Sequence, residues 1–250
     1  MMSMIRGLSR KNRIKLKLVI VLTIATLLLS VFAMYLVINV KPEDDTDYTE
    51  LYHSDYSRLK DKNSDYLGTF TDEDFNIEIK VVKGEDNSKY LYYVWEKNNY
   101  SFDGSPYFDY ENTLEDQNLI LNNCHLNTAD FNTDKKYYLF LKDEIREYEL
   151  CAIFDVNLVN EDGVYYPEEN LQYNLPFYNS EYFKVYKESI SKINQIDYNS
   201  DYSITDRFFT IVNETEDDYT KRILFFVQND KYFISDLPEI LIKMYNASKQ

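Results

Sequence analysis

Cysteine and histidine are nearly absent from this 250-residue sequence, with two of each. That excludes a Cys-rich zinc module and a disulfide-stapled scaffold. Glycine and proline are as scarce, five of each, too few for a collagenous, linker-rich or Gly/Pro-type disordered chain. Positive charge is short too: 27 Lys and Arg stand against 43 Asp and Glu, for a formal net charge of −16 and a pI near 4.6. No nucleic-acid partner is expected, because phosphates need a basic face. The acidic clusters at Glu43, Asp44, Asp45 and Asp47, and at Glu214, Glu216, Asp217 and Asp218, lack EF-hand spacing and its glycine. They read as solvated surface, with no metal and no cofactor. What is plentiful is aromatic: 25 Tyr and 15 Phe bring rings to 16% of the chain, far beyond an acidic disordered coil. The length is enough for one folded domain with attachments.

The charge is unevenly spread. Residues 1–17 hold six basic side chains, Arg6, Arg10, Lys11, Arg13, Lys15 and Lys17, and no acid. Leu18 to Val40 is uncharged, and its 23 residues would reach roughly 35 Å as a helix, more than the ~30 Å hydrocarbon core of a bilayer. The run ends in bulky residues rather than a small-x-small site, which favours an uncleaved anchor over a signal peptide. Basic residues stay on the cytoplasmic side, so the acidic remainder is expected outside the cell. The predicted organisation is a basic cytoplasmic tail at 1–17, a single transmembrane helix at 18–40, an acidic spacer and helix at 41–66, and a folded domain at 67–250.

Leu51 to Lys62 has helical spacing, with Leu51, Tyr52, Tyr56 and Leu59 on one face. Short β-type runs follow at Ile77–Val82, Tyr90–Trp95, Leu119–Leu121, Tyr137–Leu141, Tyr148–Val156, Phe208–Val212 and Ile223–Val227. A helix through Glu181–Ile193 carries the stripe Phe183, Tyr186, Ile190 and Ile193. Another closes the chain, capped by Asp236, with Pro238 in its first turn and Ile240, Leu241 and Met244 inward. Many short strands without βαβ alternation predict a mostly β fold, a mixed and mainly antiparallel barrel with peripheral helices.

The order of motifs resembles class B sortases. Residues 59–68, LKDKNSDYLG, are similar to the helix end and N-x-D-x-x-G turn that open that family. NIEIKVVKG at 76–84 resembles its I-x-Y-P-V-V-Q-G strand, with Lys80 in place of the proline. DNSKYL at 86–91 matches D-N-x-x-Y-L, and YSFDGSPYFD at 100–109 matches Y-S-x-x-G-S-x-F-x-D with one extra residue. The resemblance spans residues 50–228. It implies a sortase-like barrel on an N-terminal anchor, facing outward from a Gram-positive cell. It also implies a cysteine transpeptidase chemistry of three parts: a thiolate nucleophile, a histidine that protonates the leaving amine, and an arginine that holds the oxyanion.

Placed on this chain, the resemblance finds those parts altered. The T-L-S-T-C motif corresponds to TIVNE at 210–214, so Glu214 occupies the cysteine position, and a carboxylate forms no thioester. The motif N-x-x-x-Y-G-H-N-M corresponds to NLILNNCHL at 118–126. Without a gap Cys124 occupies the histidine position; with one inserted residue His125 does. Asn123 replaces the glycine before it. Neighbouring residues on a strand point to opposite faces, so Cys124 and His125 are not expected to pair as thiolate and imidazolium. A Cys124–Cys151 disulfide stays open, although Cys151 reads first as a small core residue. Arg222 in KRILFF matches the family's arginine, and its distance from Glu214 suits a hairpin in which the two form an ion pair. The candidate site is therefore His125, Arg222 and Glu214, with Cys124 as alternative occupant of the histidine position. The expected function is a membrane-anchored, catalytically inactive pseudo-transpeptidase binding a sorting-signal-like peptide or a surface protein. The alternatives are an active atypical sortase and a membrane-tethered scaffold.

Overall fold

The structure, a computed structural model, describes residues 19, 21–24, 26–30, 46–96, 99–159, 179–197, 199, 201–216 and 219–248. It divides into two units, residues 1–46 and 47–250. In the first, the described residues between 19 and 30 are helical and exposed. The hydroxyls of Thr23, Thr26 and Ser30 donate back to the carbonyls of Val19, Thr23 and Leu27 at 2.8–2.9 Å, which satisfies them inside the helix. Among the described residues no helix is long and apolar enough to cross a membrane; most of the predicted span 18–40 lies outside them.

The second unit opens with α1, Tyr48–Lys62. Asp47 caps it by accepting from the amides of Thr49 and Glu50, both at 3.0 Å, a contribution of about 1 kcal/mol. Tyr52 and Tyr56 are buried as expected, but Leu51 is exposed, because the helix lays only a narrow stripe on the barrel. Eight strands follow: β1 Tyr66–Asp72, β2 Glu78–Val82, β3 Tyr107–Phe108, β4 Asn118–Cys124, β5 Lys136–Leu141, β6 Glu144–Asn157, β7 Phe208–Glu214 and β8 Thr220–Phe233. Between β6 and β7 lies α2, Ser180–Ile193, and after β8 comes α3, Pro238–Ala247. The strands close a barrel in the order β1-β2-β3-β4-β7-β8-β6-β5. The β2–β3 and β4–β7 pairs are parallel and the rest antiparallel, so the mixed barrel expected from the pattern is what forms.

Alternation sorts each strand between two hydrophobic clusters. Phe70, Leu121, Leu139, Phe209, Ile211, Leu224 and Phe226 fill the interior. Phe226 meets Tyr137 and Phe70 edge-on at 5.2 and 5.5 Å, the favoured arrangement of ring quadrupoles. The opposite face of β4, β6, β7 and β8 packs Ile120, Phe154, Phe208, Val212 and Phe225 under Phe183, Tyr186 and Ile190 of α2. Ile193, predicted on that stripe, is exposed at the last turn. Asn179 caps α2 by accepting from the amide of Tyr182 at 2.8 Å.

Three further expectations are corrected. Tyr90–Trp95 is not a strand: Lys89–Leu91 forms a 3-10 turn, and Tyr92 and Tyr93 are exposed. Tyr90 alone is swallowed, its hydroxyl held by Asp65 at 2.8 Å, so the segment is pinned as a loop by one ring. Asp236 does not cap α3. It ends the 3-10 turn Ile234–Asp236, where its carboxylate accepts from the amide of Phe233. Strands β6 and β8 run far beyond their predicted apolar cores, because polar pairs such as Arg146–Glu144 and Lys231–Glu144 continue the ribbon.

Candidate functional site

The parallel strands β4 and β7 run side by side, and their C-terminal ends form one mouth of the barrel. Leu121 pairs with Ile211 and Cys124 with Asn213, so β4 carries one extra residue between these pairs. The extra residue is absorbed at Asn123, which adopts the left-handed conformation with φ 58°. Glycine is the usual residue there, and asparagine among the few others that tolerate it. The Asn123 amide pays for its strained backbone by donating to the carbonyls of Asp103 at 2.9 Å, Tyr90 at 3.2 Å and Ser105 at 3.3 Å. Gly104, beside it, also has φ 58°, and a Cβ there would strike the carbonyls of Tyr90 and Leu91.

This turn decides the fate of the next two residues. Cys124 is driven into the barrel interior, fully buried, its thiol directed at the Asn122 carbonyl 3.7 Å away. Burial, and then the Glu214 carboxylate, push its pKa well above the ordinary thiol range, which keeps it protonated and unreactive. His125 is exposed, its Nε2 3.1 Å from the Asp103 carbonyl oxygen. Cys124 and Cys151 are both free and buried, so the disulfide does not form.

At the end of β7, Asn213 accepts from the Leu126 amide at 2.6 Å and donates to the Leu126 carbonyl at 3.1 Å. It thereby ties the strand to the chain leaving β4. Across the β7–β8 hairpin Asn213 pairs with Arg222 and Glu214 with Lys221. Cross-strand partners share a face and neighbours do not, so Glu214 and Arg222 point apart. The expected Glu214–Arg222 ion pair is therefore absent, since the hairpin is one residue tighter than that pairing requires. Glu214 is bound by Lys221 instead. Arg222 turns to Asp155, its partner on β6: Nε donates to Oδ1 at 2.7 Å and Nη2 to Oδ2 at 3.0 Å, while Nη1 reaches Thr128 Oγ1 at 3.3 Å. The guanidinium in turn holds the Asp155 carboxyl below its usual range, helped by Gln195. Tyr107, on β3, has its phenol pushed up to about 12 by burial and then by Asp109, Glu214 and Cys124.

The sequence reading missed Asp155, Lys221 and Asn213. Asp155 was visible as a lone acid in the otherwise apolar run CAIFDV; nothing local marked the other two.

No family model and no curated protein matches the sequence. Solved structures do. Sortase B of Clostridium perfringens matches with a TM-score of 0.55 and 21% identity, over 70% of this chain and 99% of its own. A mutant form of that protein gives a TM-score of 0.59 at 21% identity, over 76% and 93%. A Staphylococcus aureus sortase B–substrate complex matches at 0.56 and 16% identity, over 75% and 92%. The chain has the class B sortase fold.

Within this sortase fold the mouth offers a carboxylate neutralised by lysine, a guanidinium with both edges engaged, and a thiol out of reach of solvent. His125 stands three residues before Thr128, a partner of Arg222, but its ring turns to the Asp103 carbonyl. Among the described residues no group of three His, Cys, Asp or Glu could hold a metal ion.

Proposed function

We propose that this chain is a membrane-anchored, outward-facing protein of the sortase fold that has given up transpeptidation and retains peptide binding. One observation carries the reading: three of the four positions that the motif resemblance assigns to catalysis are occupied otherwise, while the fourth, His125, is exposed beside the Asp103 carbonyl. Glu214 stands at the nucleophile's position and is paired with Lys221. Cys124, at the ungapped histidine position, is buried and held protonated. Arg222 gives three of its five N–H donors to Asp155 and Thr128, which orients the guanidinium toward β6, and an oxyanion needs donors preorganised toward it. A Staphylococcus aureus sortase B of the same fold is solved as a substrate complex, and by analogy the ligand here is a sorting-signal-like peptide or a surface-protein segment. The anchor reading rests on the six basic residues of 1–17 and the uncharged run 18–40.

The test uses the full-length protein with sorting-signal peptides and amine acceptors. Expected are saturable peptide binding, no cleavage and no acyl-enzyme by mass spectrometry. Turnover abolished by Cys124→Ala would establish the active atypical sortase instead, and absence of both turnover and binding would favour a scaffold. Protease added to protoplasts should remove the chain beyond Val40; protection of the domain would overturn the outward orientation.

A further inference from the structure

A cavity of about 550 Å³ opens between α1, α3 and the outer faces of β1 and β2, lined by none of the residues placed at the strand-end mouth. Its wall is a continuous file of rings. Trp95 lies 5.8 Å from Tyr66, Tyr66 5.3 Å from Tyr56, Tyr56 6.4 Å from Tyr52, Tyr52 6.0 Å from Phe140, and Phe140 6.0 Å from Phe75. Leu59 and Met244 add aliphatic surface. The volume suits a small-molecule site.

Most polar groups of this wall are already committed to the protein, the Tyr245 hydroxyl, buried without a hydrogen-bond partner, being the exception. The Tyr52 and Tyr56 hydroxyls donate to the carbonyls of Leu141 and Leu67 at 2.7 and 3.2 Å. The Tyr66 hydroxyl shares a 2.8 Å hydrogen bond with Thr69, and the Thr71 hydroxyl donates to the Asp72 carbonyl. The six charges at the rim cancel in pairs: Arg58 with Asp55 at 3.1 Å, Lys62 with Glu96 at 2.7 Å, and Lys80 with Glu78. A sugar would find few free hydrogen-bonding groups, and an ion would have to break an existing pair at the cost of leaving its partner bare. A hydrocarbon loses only water, at roughly 25 cal/mol per Å².

We infer that this cavity takes the alkyl chain of a lipid-like amphiphile, with its headgroup left among the rim ion pairs. The source of the chain follows from the sequence: seven residues, 41–47, separate the uncharged run from α1, at most about 25 Å of chain. That step rests on the anchor reading under the proposed function; the cavity's chemistry does not.

Trp95 is the only tryptophan in the chain, so its emission reports occupancy directly. The full-length protein is placed in phosphatidylcholine nanodiscs whose acyl chains carry bromine, a short-range quencher, and compared with unbrominated discs. Expected is loss of most Trp95 emission, restored by filling the cavity with Ala247→Phe or, if that variant folds poorly by circular dichroism, Met244→Phe. No loss, or equal loss in wild type and filled variant, overturns the proposal, the latter marking a tryptophan that merely lies on the bilayer. Co-elution with the discs reads the anchor separately. If the protein stays out of the discs, the anchor fails, and the same comparison is run in buffer with a brominated ten-carbon alcohol. Quenching that the filled variant abolishes then supports the alkyl-chain site alone, and quenching that it leaves intact refutes it.

Discussion

Alkylation of Cys124 tests the inactive reading most directly. The full-length protein is exposed to iodoacetamide at pH 8, native and in guanidinium, and its two cysteines are followed by peptide mass spectrometry. An ordinary thiol with a pKa of about 8.5 is roughly one quarter ionised at pH 8. Cys151, pushed up to about 12 by burial, would be ionised roughly 2,000-fold less. Cys124 is raised further, by burial and the Glu214 charge, and both thiols are shielded completely from solvent. Reaction therefore needs a rare protonation state and an opening of the barrel together. Native labelling of each should be at least ~10³-fold slower than in the unfolded chain. Cys151 is the internal control, since it lies under α2, away from the mouth. Labelling of Cys124 within about tenfold of its unfolded rate, with Cys151 still protected, would refute the reasoning. It would reveal a reactive thiol at the mouth and return the active reading to first place.

Restoring a thiol by Glu214→Cys should yield no acyl-enzyme with sorting peptides by mass spectrometry, because Arg222 faces Asp155 on the other side of the hairpin; an adduct lost on Arg222→Ala would contradict that geometry. The Asp155 carboxyl has a lowered folded pKa, so its stabilisation is present above the unfolded value of about 3.9 and is lost as pH falls through the folded one. Urea midpoints of wild type and Asp155→Asn should differ at pH 7 and converge near pH 2–3, by about 1 kcal/mol or less because the pair is a third exposed; a gap that widens in acid would reverse the sign. Asp72 is fully buried and accepts from Lys135 at 2.7 Å and from the amides of Asn76 and Ile77 at 2.7 and 3.0 Å. Asp72→Ala should cost about 3 kcal/mol by stranding those donors, read as a lower urea midpoint, and a change under 1 kcal/mol would show that the turn relaxes.

Much of the barrel was legible because alternation is a local signal. Leu119–Leu121, Tyr137–Leu141 and Phe208–Val212 each mark a strand by β-branched and aromatic residues that only a pleated, two-sided environment buries. The same rule misled at Tyr90–Trp95, where a ring-rich run is held as a loop by the Tyr90 hydroxyl on Asp65. It also fell short on β8, whose polar second half pairs with β6 without an apolar face.

The sequence by itself determined the mainly antiparallel barrel, the flanking helices and the scarcity of cysteine and histidine, because periodicity and residue identity are carried by the chain alone. Which side chains meet was decided by the tertiary structure. The left-handed turn at Asn123 sends Cys124 inward and leaves His125 outside, a choice that no one-dimensional register could make. The hairpin between β7 and β8 sets Asn213, rather than Glu214, opposite Arg222. Asp155, 67 residues upstream of Arg222, captures the guanidinium only because β6 lies beside β8. Strand pairing and register are long-range quantities: a shift of one residue turns a side chain to the other face, and only the closed barrel specifies it.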